Sequence, residues 1–146
     1  MPSHAEKRPV AHTPEQMYAL VADVAKYPEF LPWCVGARIR KREGTVFWGD
    51  LIIGYKMLRE RFTSRVECFD EERRIEVSYS DGPFKHLTNR WVFEPHEGGC
   101  LIDFHVDFEF KNRMLGGLMD LFFQEAVQRM VRAFETRADE LYGVDR

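Results

Sequence analysis

Cysteine is scarce in this chain, and no long apolar run occurs. Cys34, Cys68 and Cys100 are the three cysteines, odd in number, widely spaced and without a CxxC pair. That excludes a disulfide framework and a zinc-ribbon spacing, and fits reduced thiols in a cytosolic protein. No apolar stretch approaches the roughly 20 residues that cross a bilayer. The first ten residues, MPSHAEKRPV, lack the apolar core of a secretion signal and are too short for a transit peptide, so no targeting sequence is expected. A strong charge of either sign is also missing. A net charge of −3 argues against wholesale binding of DNA and against an acidic tail.

Catalytic signatures are equally sparse. There is no GxSxG elbow and no glycine loop of the phosphate-cradling kind. His86, His96 and His105 show no metal-ligand spacing. Cys34 has no basic partner evident in the sequence, which leaves it an inert buried thiol by default. No catalytic residue, metal ligand or catalytic cofactor is assigned. Internal repeats, low-complexity tracts and linkers are absent as well, so residues 1–146 read as one domain with a core near 8–143.

What is present is aromatic and periodic. Twelve phenylalanines contribute to an aromatic content of 14%, an interior built from flat, bulky groups. Thr13 can cap a helix, Pro14 suits its first position, and Gln16 stands where a capping-box partner belongs. Met17, Leu20, Val21 and Val24 then share one face, and Pro28 is expected to stop the run. Residues 5–12 read as a short strand.

From Gly36 to Phe110 the period becomes two, with strands predicted over 36–43, 45–55, 58–69, 73–80, 86–94 and 100–110. REGT, a tight bend near Lys56, DEE, DGPF and PHEGG punctuate them, and such short connections imply an antiparallel meander. The clearest alternation is IDFHVDFEF, with Ile102, Phe104, Val106, Phe108 and Phe110 on a dry face. Asp103, His105, Asp107 and Glu109 occupy the wet one. A helical period returns after Arg113 and holds to Tyr142, where Gly143 supplies the stop.

The economical packing is α+β: a curved antiparallel sheet of six or seven strands wrapped around the long C-terminal helix, with the first helix closing one end. Such a sheet need not fill the space it encloses, and periodicity leaves open whether a void remains. Two features favour one. YPEFLPWC, residues 27–34, stiffens a loop with Pro28 and Pro32 while loading it with Phe30, Leu31 and Trp33. MLGGLM, residues 114–119, mixes adaptable thioethers with two glycines at a helix start, where glycine weakens a helix by roughly 1 kcal/mol against alanine.

YPEFLPWC after an amphipathic helix, then RERFTSRV, DGPFKHLTNRWVFEP, DFEF and MVRAFETRADELYG, in that order from about Arg8 to Gly143, resemble the coenzyme Q-binding START-like family. That family also contains the bacterial ribosome-association toxin RatA and sits within the polyketide cyclase/dehydrase and lipid-transport group. The resemblance implies a helix-grip (START-like, Bet v 1-like) fold and binding rather than catalysis. Its ligand is a polyisoprenoid such as ubiquinone, carried or chaperoned in support of respiration. It also implies a transient membrane surface as a partner. The chain lacks the N-terminal extension of mitochondrial members, which fits a bacterial protein of the cytoplasm, at most peripheral at the inner membrane. The toxin branch implies the alternative of a ribosome partner and blocked subunit association. A cyclase would need an acid/base pair that the sequence does not display.

A quinone tail needs a long apolar channel, since each buried CH₂ is worth about 0.8 kcal/mol. Facing direction nominates Tyr55, Phe62, Tyr79, Trp91, Phe93, Phe104, Phe108, Leu118, Phe122 and Met130 as lining residues. Phe30, Leu31 and Trp33 are candidates for a door, together with Met114 and Leu115. Asn89 has two readings, a hydrogen bond to a quinone carbonyl or to a backbone group. Glu60 likewise can sit at the cavity rim or pair with Arg59 or Arg61. On the wet face, Arg38, Arg40 and Arg42 alternate on one strand and Arg59, Arg61 and Arg65 on another, partly offset by Asp50, Glu67 and Glu76. Anionic lipid headgroups or ribosomal RNA phosphates answer equally to such a stripe.

Overall fold

The computed structural model describes residues 3–55 and 58–143, leaving out the side chains of Tyr55, Leu58, Ser80, Leu115 and residues 118–124. Strand β1 (Ser3–Val10) leads into α1 (Pro14–Ala22) and a short 3-10 helix (Val24–Glu29). Six further strands follow: β2 (Cys34–Glu43), β3 (Val46–Tyr55), β4 (Leu58–Phe69), β5 (Arg74–Asp81), β6 (Phe84–His96) and β7 (Gly99–Phe110). Helix α2 (Arg113–Tyr142) ends the fold. The strands form one antiparallel sheet in the order β1-β7-β6-β5-β4-β3-β2, a meander to which β1 is added beside β7. The sheet curves, and α2 lies across its inner face, the helix-grip arrangement expected.

Local chemistry explains the element ends. Thr13 and Gln16 form a reciprocal capping box, Gln16 N–H to Thr13 Oγ1 at 3.1 Å and Thr13 N–H to Gln16 Oε1 at 3.0 Å. The expected stop of α1 at Pro28 is corrected. The α-helix already ends at Ala22, where the Asp23 N–H turns back to the Leu20 carbonyl. Pro28 then lies inside the 3-10 helix, whose tighter winding brings Phe30 N–H to Tyr27 O. Residues 5–12 were expected as strand, but β1 runs two residues earlier, because Ala11 and His12 turn into α1. The β6–β7 hairpin closes through Glu97 and Gly98, both at positive φ, which matches the twist of the strands. At the β5–β6 turn Gly82 has φ of 144°, and a Cβ there would meet the Phe62 Cβ at 2.5 Å. Gly143 stops α2, its N–H on the Asp139 carbonyl at 2.9 Å.

Helix α2 is held mainly by its apolar stripe. Val127, Val131, Phe134 and Ala138 are buried against the sheet and α1. Each large side chain so buried contributes roughly 1.5–3 kcal/mol. Phe134 is the hub, with edge-on contacts to Tyr27, Phe30 and Trp91 at centroid distances of 5.3, 5.2 and 5.2 Å. Polar contacts also tie α2 to the N-terminal segment: Arg8 grips Glu135 Oε1 through Nε (3.1 Å) and Nη2 (2.8 Å), and buried His12 is hydrogen-bonded to Asp139 at 2.7 Å. A half-exposed pair such as Arg8–Glu135 is worth about 0–1 kcal/mol, so it positions the helix more than it stabilises it.

Candidate ligand-binding cavity

Between the sheet and α2 the packing is incomplete. A cavity of about 200 Å³ remains, bounded by side chains from the 27–34 loop, from β3 to β7 and from α2. Its wall is almost entirely apolar: among the described residues Ser64 and Asn89 are the polar exceptions, besides the Tyr27, Trp33 and Trp91 rings and the Cys34 thiol. An apolar cavity of roughly 150 Å³ already stays dry and admits a ring the size of benzene. This space therefore suits an apolar guest with a ring and a short run of chain.

The wall follows from register. On β7 the dry alternation supplies Phe104, Val106, Phe108 and Phe110. On β3 Leu51 and Ile53 face in, opposite Phe62 and Glu60 of β4. A bulge between Phe84 and His86 turns both Phe84 and Leu87 inward, three residues apart. Helix α2 contributes Ala126, Val127, Met130 and Phe134.

Of the residues nominated from the sequence, Leu31, Trp33, Phe62, Asn89, Trp91, Phe104, Phe108 and Met130 lie on this wall. Phe30 does not; it packs on Phe134 and Tyr27, with the Arg137 guanidinium over its ring at 5.4 Å. Phe93 is corrected from lining to solid core, because α1 closes that end of the sheet: Tyr18 meets its ring edge-on and Trp91 lies parallel to it. Tyr79 stands off the wall, edge-on to Phe84 at 5.6 Å. Met114 is 84% exposed at the start of α2. The side chains of Tyr55, Leu115, Leu118 and Phe122 fall outside the described residues, as does the bend near Lys56. Glu60 is half-buried and off the wall.

Tyr27, Cys34 and Phe84 are among the wall residues that facing direction had not nominated. Phe84 lay outside the predicted β6, and a bulge carries no compositional mark. Ser64 is on the wall too, turned inward by the period it shares with Phe62 and Val66.

The polar groups are mostly spent inside the protein. Asn89 donates from Nδ2 to the His105 carbonyl and accepts the Trp91 indole N–H at Oδ1, both at 2.8 Å. Its backbone reading is thus the one realised. The Tyr27 hydroxyl donates to the Val21 carbonyl, and burial pushes its pKa far upward. Burial likewise raises the Cys34 thiol, which keeps it protonated and unreactive. Cys100 is pushed up to about 11 by burial.

The basic stripe is reshaped on the outer face. Arg38, Arg40 and Arg61 converge on Asp50 Oδ2 at 3.0, 3.3 and 3.6 Å, while Thr63 Oγ1 donates to Oδ1 at 2.6 Å. Asp50 is only 5% exposed. Burial alone would raise its pKa, but the Thr63 and Arg38 hydrogen bonds and the charges of Arg40 and Arg61 outweigh that and hold the carboxyl below its ordinary value. Arg42 leaves the stripe: a bulge between Ile39 and Lys41 shifts the phase, setting Lys41 over Trp48 and Arg42 over the buried Phe47 ring at 4.9 Å. Arg65 pairs with Glu67, and Arg59 is exposed.

Residues 10–135 match the family model described as polyketide cyclase / dehydrase and lipid transport. The chain belongs to that family. Two sequence relatives represent its branches. A ribosome association toxin, RatA from Escherichia coli K12, is 36% identical over 98% of this chain and 90% of its own length. A mitochondrial coenzyme Q-binding protein COQ10 homolog B from Xenopus laevis is 34% identical, covering 96% of this chain and 59% of the relative. Among solved structures, the 18 kDa protein CC1736 from Caulobacter crescentus is 34% identical with a TM-score of 0.81, covering 99% of this chain and 100% of its own. A START superfamily protein from Mycobacterium smegmatis matches at a TM-score of 0.82 over 95% of this chain and 98% of its own, at 21% identity, a likeness of fold. No described helix is long and apolar enough to cross a membrane.

Proposed function

We propose that this protein binds a polyisoprenoid quinone such as ubiquinone in the cavity, ring innermost, and carries or chaperones it without a chemical step in support of respiration. The observation that carries this reading is the dry wall around about 200 Å³ of space. The relative named as coenzyme Q-binding supports the choice of guest. Burial of the ring and first isoprene units stabilises the complex by about 0.8 kcal/mol per CH₂. A full tail exceeds a volume of about 200 Å³, so its far end emerges between the 27–34 loop and α2 or parts them. Leu31 and Trp33 are the proposed door on the loop side, with Phe30 packed behind them on Tyr27 and Phe134. A passing membrane surface is the partner that delivers and receives the tail.

The test is organic extraction of the purified protein, with titration of the emptied protein by a short-chain ubiquinone. Trp33 and Trp91 lie on the wall, so binding should quench tryptophan fluorescence saturably. Neither co-purified quinone nor saturable quenching would be found if this reading is wrong.

A second reading rests on the outer face. Arg38, Arg40 and Arg61 share one carboxylate, which leaves positive charge for phosphates of ribosomal RNA. The relative named as a ribosome association toxin supports it. Co-sedimentation with the large ribosomal subunit that weakens steeply with salt, and is lost in Arg38→Glu with Arg61→Glu, is its expected signature. Sedimentation without ribosomes at low salt rejects it.

A further inference from the structure

Asp50 gathers more positive charge than its burial demands. Thr63 donates to its Oδ1 at 2.6 Å and Arg38 to its Oδ2 at 3.0 Å, so a hydroxyl and one guanidinium already serve both oxygens. One cation is also enough to neutralise a buried carboxylate. Yet Arg40 from β2 and Arg61 from β4 bring their Nη2 atoms to 3.3 and 3.6 Å of the same Oδ2. Three positive charges against one negative leave two in surplus around a single atom. Like charges held that close repel one another.

Asp50 and Thr63 are buried, whereas the three arginines are exposed, so the carboxylate lies on the protein side of the guanidiniums. Their contacts with it run through Nη2, which leaves Nε and Nη1 of each to donate to an outside acceptor. A surface arginine otherwise samples many rotamers, and a ligand must bear the cost of ordering it. Asp50 draws three of them to one point in the free protein. Such presetting favours a ligand whose phosphates are fixed in place by a covalent backbone, as in a nucleic acid. Lipid headgroups diffuse and adjust to mobile cations, and gain little from it.

We propose that Asp50 is a positioning residue that sets Arg38, Arg40 and Arg61 as one clamp on a backbone phosphate of RNA. This rests on the ribosomal reading above. Its consequence is a reversal of sign. Asp50 is an anion within a site for an anion, so net charge alone would have its removal strengthen binding. Loss of the clamp weakens it.

Co-sedimentation of the full chain with purified large ribosomal subunits across a salt series separates the two. Asp50→Asn removes the charge that gathers the arginines. Thr63→Val removes the hydrogen bond that fixes the carboxylate and alters no charge. Glu43→Gln removes an exposed carboxylate from the same sheet outside the cluster, and reports the plain charge effect. The expected result is binding roughly three- to tenfold weaker in Asp50→Asn and Thr63→Val, with a shallower salt dependence, and no weaker in Glu43→Gln. Asp50→Asn binding as tightly as the unaltered protein, or more tightly, overturns the clamp and leaves the ribosomal reading standing. Should circular dichroism show Asp50→Asn unfolded, Thr63→Val decides alone, and unchanged affinity there overturns the clamp. Equal losses on phosphatidylglycerol vesicles reassign the phosphate to lipid and overturn the RNA clamp. An unaltered protein that does not sediment with the subunits at low salt overturns the ribosomal reading and the clamp together.

Discussion

Trp33 spans the gap between the loop before β2 and helix α2, pointing its indole N–H at the Ala126 carbonyl, 3.4 Å away. The contact is long for a hydrogen bond, and the ring also forms part of the cavity wall. Loop and helix thus touch at a wall side chain, which a guest using the proposed entrance would have to pass or displace. Replacing Trp33 by alanine should weaken quinone binding several-fold while circular dichroism stays near native. Its stability loss should be about 1–2 kcal/mol, below the roughly 3–5 of a fully packed aromatic, because one side of the ring already faces empty space. Unaltered affinity would mean that the entrance lies elsewhere.

Cavity volume limits how much tail can be sheltered. Affinity for ubiquinones should rise over the first one or two isoprene units and then level off, since later units leave the enclosed space of about 200 Å³. Isothermal titration across a series of tail lengths measures this. A steady gain of about 0.8 kcal/mol per CH₂ along a long tail would require α2 to part from the sheet.

Phe134 behaves differently from the wall residues around Trp33. Its ring meets Tyr27, Phe30 and Trp91 and ties the 27–34 loop, α2 and β6 together. Phe134→Ala should lower stability by roughly 3–5 kcal/mol in urea denaturation. A loss under 1 kcal/mol would show that the cavity simply enlarges without disturbing its supports.

Asp50 gives the fold a defined acid sensitivity. Its carboxyl is held below the ordinary 3.8 in the folded protein. The stabilisation is therefore complete above that value and fades as pH falls through the lower folded one. Asp50→Asn should reduce stability by about 1–2 kcal/mol at neutral pH, discounted because its arginine partners are largely exposed. The gap from the unaltered protein should narrow as pH drops below 4, as read from denaturation midpoints. A gap that is constant with pH would assign the loss to packing.

The alternation Ile102 to Phe110, the capping box at Thr13 and the stop at Gly143 were legible residue by residue, because each is a local pattern with a local cause. So was the curved meander around a C-terminal helix, since an apolar sheet face and an apolar helix stripe must cover each other. The sequence by itself determined which faces are dry. Only the tertiary structure decided what those faces meet. It packed Phe93 under α1 but left space beside Phe104, and a bulge after Ile39 turned Arg42 off the basic stripe. It also brought Arg8 to Glu135 and set Ser64 against Tyr79. Periodicity reports the direction of a side chain; the filling of the space in front of it depends on atoms far away along the chain.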